Sequence, residues 1–231
     1  MNEIILTRPK QQAEHFAHIL RSKTNSTVHL MPLIAIKACS DSLKQVDDVV
    51  LFTSANAIPF VARGQGQLAL CVGDATCEAA KLAGFDAHSA NGTAQDLAKL
   101  ILMRADVNLR RFYHPHGAQV SDGFHETLEE GGIQLFSEVV YRQETQIWSK
   151  AQTLLVESRP FIFPVFSPNG ARVLAQNLAE IGPQSHRIVA ISEDAGKPLI
   201  GFDLLVAEKP SRYGVLEAVL EMILRGESFE A

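Results

Sequence analysis

An α/β fold made of two similar, doubly wound parallel-sheet units is predicted by three features of the sequence. Short apolar runs alternate with amphipathic segments, that alternation occurs twice, and an extended segment lies at each point where one copy gives way to the next. The length of 231 residues exceeds a typical single domain without leaving room for three, so two cores of about a hundred residues each are expected.

The runs EIIL, VVLF, LALCV, FIFPVF and RIVAI are apolar at nearly every position, as parallel strands covered on both faces are. Between them lie segments with apolar residues at i, i+3, i+4 and i+7, which predict helices. The doubling is visible residue by residue. Val50-Leu51-Phe52-Thr53-Ser54-Ala55-Asn56-Ala57 is echoed by Pro164-Val165-Phe166-Ser167-Pro168-Asn169-Gly170: a strand, a Ser-x-Asn turn, then an amphipathic helix. Leu70-Cys71-Val72-Gly73-Asp74-Ala75-Thr76 leads through a helix to Gly84-Phe85-Asp86, and Ile188-Val189-Ala190-Ile191-Ser192-Glu193-Asp194 leads through a shorter one to Gly201-Phe202-Asp203. Each Gly-Phe-Asp places a glycine at the C′ position of its helix. A weaker echo links residues 3–33 with 110–140. The extended segments Leu33-Ile34-Ala35-Ile36-Lys37 and Glu138-Val139-Val140-Tyr141-Arg142-Gln143 read as linker strands. Two linkers favour a chain that enters one unit and later returns to the other, although the sequence also admits sequential pairing of neighbouring segments.

In a doubly wound sheet, ligands bind beyond the carboxyl ends of the strands, where helix starts offer unpaired amides and partial positive charge. The turns expected there are Thr7-Arg8-Pro9, Ser54-Ala55-Asn56, Gly73-Asp74-Ala75-Thr76, Asn91-Gly92-Thr93, His116-Gly117, Ser167-Pro168-Asn169 and Ser192-Glu193. Any one of them has the composition of an ordinary helix cap. Seven together, facing one another across a cleft, form a distributed anion site suited to a polyanionic small molecule.

Other chemistries lack a motif. Gly64-Gln65-Gly66-Gln67-Leu68-Ala69 fits a dinucleotide fingerprint only on paper, because it follows a helix and precedes a strand. Walker A, nucleophile-elbow and HExxH patterns are missing from the sequence. His114 and His116 flank Pro115 with no third ligand nearby in sequence, so no metal is expected. Cys39, Cys71 and Cys77 match no zinc or redox spacing and are expected to be reduced and buried. With 21 basic against 26 acidic residues and no basic cluster, nucleic acid is not an expected partner, nor is a membrane, since no run approaches about 18 apolar residues. The mixed-charge start MNEIILTRPK points to the cytoplasm.

Tyr141 is one of only three tyrosines, and it lies on a predicted linker strand close to the gap between the units. Its phenol can donate a hydrogen bond to a departing oxygen, or its ring can simply pack at a seam.

The ordered set LTRP, FTSANA, VGDAT before a helix ending in glycine, VVYR, VFSPNG and VAIS resembles the uroporphyrinogen-III synthase family over nearly the whole chain, from Ile5 to about Leu220. The resemblance implies two flavodoxin-like α/β domains joined by a two-strand linker, the first domain built from both chain ends. On this sequence that gives 1–35 with 144–231, then 40–138, with 36–39 and 139–143 as linkers. It further implies a cofactor-free, metal-free lyase that closes linear hydroxymethylbilane, an octacarboxylate, with loss of water and inversion of the last pyrrole ring. Departure of the hydroxyl leaves an azafulvene cation, and a spiro intermediate precedes inverted closure. Because the bilane also closes unaided to the wrong isomer, catalysis is chiefly orientation.

By the same resemblance Tyr141 assists loss of the hydroxyl, Thr76 lies in the first domain-facing turn, and Ser54, Asn56, Ser167 and Asn169 belong to turns that line the cleft. With the other residues of the expected strand-end turns, Arg8, Ala55, Gly73, Gly92, Thr93, His116, Gly117, Pro168 and Ser192, they are expected to hold the substrate's carboxylates. A monomer is expected, with at most transient contacts to the preceding and following pathway enzymes. The departure from the family pattern is Glu193-Asp194-Ala195, where many members carry a threonine pair; two carboxylates there would repel an anion unless turned away. The rival readings are a two-lobed metabolite sensor and, less well matched in length, a nucleotide-sugar transferase.

Overall fold

The computed structural model describes residues 3–39, 49–103, 111–118, 123–179, 181 and 185–227. Part of the predicted second domain, residues 40–48, 104–110 and 119–122, lies outside that set, as does the predicted strand position 110. The chain divides into two compact units, Met1–Ala35 with Glu144–Ala231, and Ile36–Gln143. The boundaries fall at 35/36 and 143/144, so the segment 138–143 lies wholly in the second unit, while 33–37 is divided between the two.

In the first unit the strands are β1 (Glu3–Leu6), β2 (Thr27–Leu30), β9 (Ile162–Val165), β10 (Arg187–Ala190) and β11 (Asp203–Val206), hydrogen-bonded in parallel in the order β2-β1-β9-β10-β11. The second unit holds β3 (Ile34–Ala38), β4 (Val49–Phe52), β5 (Leu68–Cys71), β6 (Asp86–Ser89), β7 (Phe112–Gly117) and β8 (Leu135–Thr145), in the order β3-β8-β7-β4-β5-β6. Its β8-β7-β4-β5-β6 ladder is parallel as well. The two orders are one order read from different starting points. Beginning the second unit at β7 matches β7, β8, β4, β5 and β6 to β1, β2, β9, β10 and β11. Those are the pairs that the sequence echoes link, so the second unit is a circular permutation of the first.

Both sheets are covered on both faces, which is why their central strands are apolar throughout: β4 and β9 are buried at all four positions. In the first unit Ile5, Phe163, Val165 and Ile188 pack with α5 (Lys150–Ser158) and α6 (Pro168–Ala179). Ile4, Leu6, Ile162 and Val189 point the other way, onto α1 (Lys10–Arg21) and α8 (Arg212–Glu227). The second unit repeats the division. Val50, Phe52, Ala69 and Cys71 meet α2 (Asp74–Leu82), while Val49, Leu51, Leu70 and Phe112 meet α3 (Ala94–Met103) and α4 (Phe124–Glu130).

Three expectations need correction. The helix expected after Ser54-Ala55-Asn56 is a 3-10 helix, Ala55–Phe60, because Pro59 has no N–H to return to the Ala55 carbonyl. The helix after Ser192 is a single turn, α7 (Glu193–Gly196), continued by a 3-10 turn over Lys197–Leu199, since Pro198 likewise stops the ladder. Cys39 is exposed while Cys71 and Cys77 are buried: it follows β3, at the sheet edge, whose burial runs out toward Ala38.

The misplaced glycine run has a packing role. Gly84 ends α2 at φ +95°, with its N–H on Lys81 O and that of Phe85 on Ala80 O, a Schellman cap. Gly64 and Gly66 donate to Ala83 O and Gly84 O, and a Cβ on Gly64 would lie 2.6 Å from the Gly84 carbonyl carbon. Backbone meets backbone there, so only glycine fits.

Beneath the first sheet lies a buried histidine. The Phe161 N–H donates to His186 Nδ1 at 3.2 Å, the side chain is 2% exposed, and burial lowers its pKa from 6.5 to about 4. Its folded pKa lies below its unfolded value, so between those limits the unfolded chain binds more protons. This contribution to stability is complete above pH 6.5 and is lost as pH falls toward 4. Chemical denaturation at stepped pH checks this, with His186→Asn keeping an acceptor for the Phe161 N–H. The variant should lose about 3 kcal/mol less stability than the parent across that interval; parallel profiles would contradict it.

Candidate functional site

The parallel register sets the candidate residues in two rows, one on the carboxyl edge of each sheet. In the first unit Arg8, the Ser167 turn and Ser192 follow the adjacent strands β1, β9 and β10. In the second, Tyr141 pairs with Gly117 across β8 and β7, followed by Ser54 after β4, Gly73 and Thr76 after β5, and Gly92 and Thr93 after β6.

Within the rows, hydroxyls and amides have different jobs. Ser54 Oγ accepts from the Asn56 N–H, Ser167 Oγ from that of Gly170, and Ser192 Oγ from that of Ala195. Thr93 and Asp96 cap α3 reciprocally, at 2.8 Å from the Thr93 N–H to Oδ2 and 3.4 Å from the Asp96 N–H to Oγ1. These side chains serve as caps. The Gly92 N–H is bonded to Val72 O, and Thr76 is 7% exposed. By contrast α1, α2 and α4 start at Pro9, Gly73 and Gly123 without any side-chain cap; of these, α1 and α2 follow strands that carry candidate residues, and their first-turn amides are open to an incoming anion.

Arg8 supplies a fixed cation beside the first of these. Its guanidinium lies 3.8 Å over the Phe166 ring and donates to Gln12 Oε1 at 3.0 Å. Burial, with the charge of Arg212 adding to it, lowers its pKa from 12.5 to about 10. The group stays charged at neutral pH in a poorly solvated place, where a carboxylate partner is attracted more strongly than in water.

The two acidic residues after β10 are less hostile than the sequence suggests. Asp194 forms an exposed 2.6 Å ion pair with Lys197, and that hydrogen bond lowers its pKa. Glu193 lies in the first turn of α7, where the helix end favours negative charge.

Tyr141 is held by shape. Its ring stacks on Phe60 at 5.9 Å between centroids, and a Cβ on Gly117 would lie 2.7 Å from its Cζ. Glycine at 117 is therefore what admits the ring. Among the described residues its hydroxyl has no hydrogen-bond partner.

His116 turns inward, with Nδ1 on the carbonyl of Gly117 at 2.7 Å and Nε2 on Ser137 Oγ at 2.8 Å. The expectation that no third histidine lies near His114 and His116 is incorrect, because His125 on α4 joins them. Eleven residues separate it from His114, and only the return of the chain over the sheet brings them together.

The family model described as Uroporphyrinogen-III synthase HemD matches residues 14–217. The chain belongs to the uroporphyrinogen-III synthase family. Members are cyclising lyases of heme biosynthesis that act on a small-molecule substrate. Among solved structures, uroporphyrinogen-III synthetase from Helicobacter pylori 26695 is similar at 14% identity and TM-score 0.63, over 96% of this chain and 100% of that one. A mutant uroporphyrinogen III synthase from the extremely thermophilic bacterium Thermus thermophilus is similar at 16% identity and TM-score 0.53, over 98% and 100%. At that identity the likeness shows the two-domain α/β fold. No curated protein sequence matches the chain. No helix among the described residues is long and apolar enough to cross a membrane.

If Arg8 holds a substrate carboxylate, Arg8→Ala should lower kcat/KM roughly 10- to 100-fold, mostly through KM. Arg8→Lys, which keeps the charge and loses the planar stack, should fall in between. Steady-state kinetics with unchanged KM in both variants would remove Arg8 from the site.

Proposed function

We propose that hydroxymethylbilane is held by its carboxylates on the uncapped helix starts of both units, and that Tyr141 assists departure of its hydroxyl. The observation that carries this reading is the pair of carboxyl-edge rows. One presents α1 with Arg8; the other presents α2 with Tyr141, whose hydroxyl is unpaired among the described residues. Anions prefer such helix starts, and a preformed set of amides orients a flexible chain without rearranging to do so.

In this reading the Tyr141 hydroxyl donates a hydrogen bond to the departing oxygen. The phenol proton passes to that oxygen as the C–O bond breaks, so the oxygen leaves as water, a phenolate remains to take back the proton released on closure, and positive charge spreads over the pyrrole methylene unit. When the new ring bond forms, the pyrrole carbon under attack releases a proton, which restores the balance. A phenol is a weak acid, with a pKa near ~10 in water, so the donation eases departure and orientation does the rest. The amides decide the isomer, because they must present the last ring for inverted closure before unaided closure occurs.

The crossings at 35/36 and 143/144 serve as the linker in this account, and Ser54, Ser167 and Ser192 contribute through the turns they cap. We take the enzyme as a cytoplasmic monomer with transient contacts to its pathway neighbours; three free cysteines accord with a reducing compartment.

Isomer analysis tests the proposal. Incubation with hydroxymethylbilane followed by oxidation should give type III uroporphyrin, and Tyr141→Phe should lower kcat about 10²-fold or more while the product remains type III. Type I product alone from the parent would end the enzyme reading. Unchanged kcat in a folded Tyr141→Phe protein would reduce Tyr141 to a packing residue.

A further inference from the structure

The strongest feature that the reaction leaves unused is the histidine cluster in the second unit. His114 and His116 are two residues apart on β7, so both project from the same sheet face, and His125 lies in the first turn of α4 above them. One ring nitrogen from each lies within 4.8 Å of those of the other two. The inner ring atoms are His114 Nδ1, 2.8 Å from His125 Nε2, and His116 Nε2; Ser137 Oγ on β8 lies 2.8 Å from His116 Nε2 and 3.2 Å from His125 Nε2.

Two of the three outer nitrogens are tied down. His116 Nδ1 faces the Gly117 carbonyl at 2.7 Å, which can only accept, so that nitrogen carries the proton and neutral His116 keeps its Nε2 lone pair toward the cluster. His114 Nε2 is held by Thr53 Oγ1 at 2.9 Å. An outer ring nitrogen bonded to a carbonyl or hydroxyl, with the inner one turned toward its fellows, is the support that metal-ligating histidines ordinarily have. His114 is fully buried and His116 is 8% exposed. Neutral imidazole is the form that binds metal. Glu126 and Glu129 on α4 lie close enough to act electrostatically on His125 and supply the nearest compensating charge.

We propose that His114, His116 and His125 bind one divalent transition-metal ion of the zinc type, with Ser137 Oγ or a water completing a tetrahedral site. Three imidazoles favour Zn2+ and Co2+ over Mg2+ or Ca2+, which prefer oxygen ligands. The site is structural. It clamps α4 to the end of β7, the strand that carries Gly117 against Tyr141. The inference does not depend on the proposed substrate contacts.

The test titrates the metal-free full chain with Zn2+ by calorimetry and with Co2+ by absorption, and repeats both with His125→Ala. His125 is half-buried, so its removal spares the core that His114 occupies. One equivalent of Zn2+ should bind and raise Tm, and Co2+ should give intense tetrahedral d–d bands. His125→Ala should lose the bands and weaken binding by more than the roughly 10- to 100-fold that loss of an outer partner costs. Absence of saturable binding, octahedral Co2+ bands, or affinity unchanged in a folded His125→Ala protein would each overturn the site.

Discussion

Parallel pairing of strands is the constraint from which the rest of this structure follows. A parallel strand cannot turn back directly, so each needs a crossover, and the crossovers cover both faces of the sheet. Covered strands must then be apolar throughout, as Val49-Val50-Leu51-Phe52 and Ile162-Phe163-Pro164-Val165 are. Since the five strands of each parallel ladder run the same way, the helix starts that follow them fall on one edge, and unpaired amides collect there without any charged side chain being spent. A chain with a net charge of −5 can in this way offer an anion site.

Permutation explains how one such unit became useful twice. The two sheets share a five-strand order, but in the second those five strands begin at β4 and end at β8, with β3 added at the edge, so the chain can leave the first unit after β2 and return to it before β9. Each unit keeps its own row of turns. What differs is what each row adds: a half-buried, stacked cation at Arg8 in one, and a shape-locked phenol at Tyr141 in the other. The first suits holding a carboxylate and the second suits loss of a hydroxyl.

Much of this was legible in the sequence, because apolar runs and their echoes report burial and topology directly. The carboxyl-edge turns could be found from the strand ends alone. Sequence could not show which turn hydroxyls are spent: Ser54, Thr93, Ser167 and Ser192 are caps in the structure, and that depends on backbone angles rather than residue type. Pro59 and Pro198 were present to be read, and each shortens a helix that periodicity alone would extend. His125 carried no signal, since it looks like any helix-surface histidine until α4 is laid over β7. The meaning of Gly117 was also hidden, because its lack of a side chain matters only where the Tyr141 ring approaches.

The central claim is that backbone amides at uncapped helix starts in both units hold the polyanion. Amide hydrogen exchange read by mass spectrometry, with and without bound uroporphyrinogen III, tests it most directly. Slowed exchange is expected in the first turns of α1 and α2 together, with smaller changes at the capped starts of α3 and α6. Protection confined to one unit, or spread evenly over capped and uncapped starts, would contradict the account.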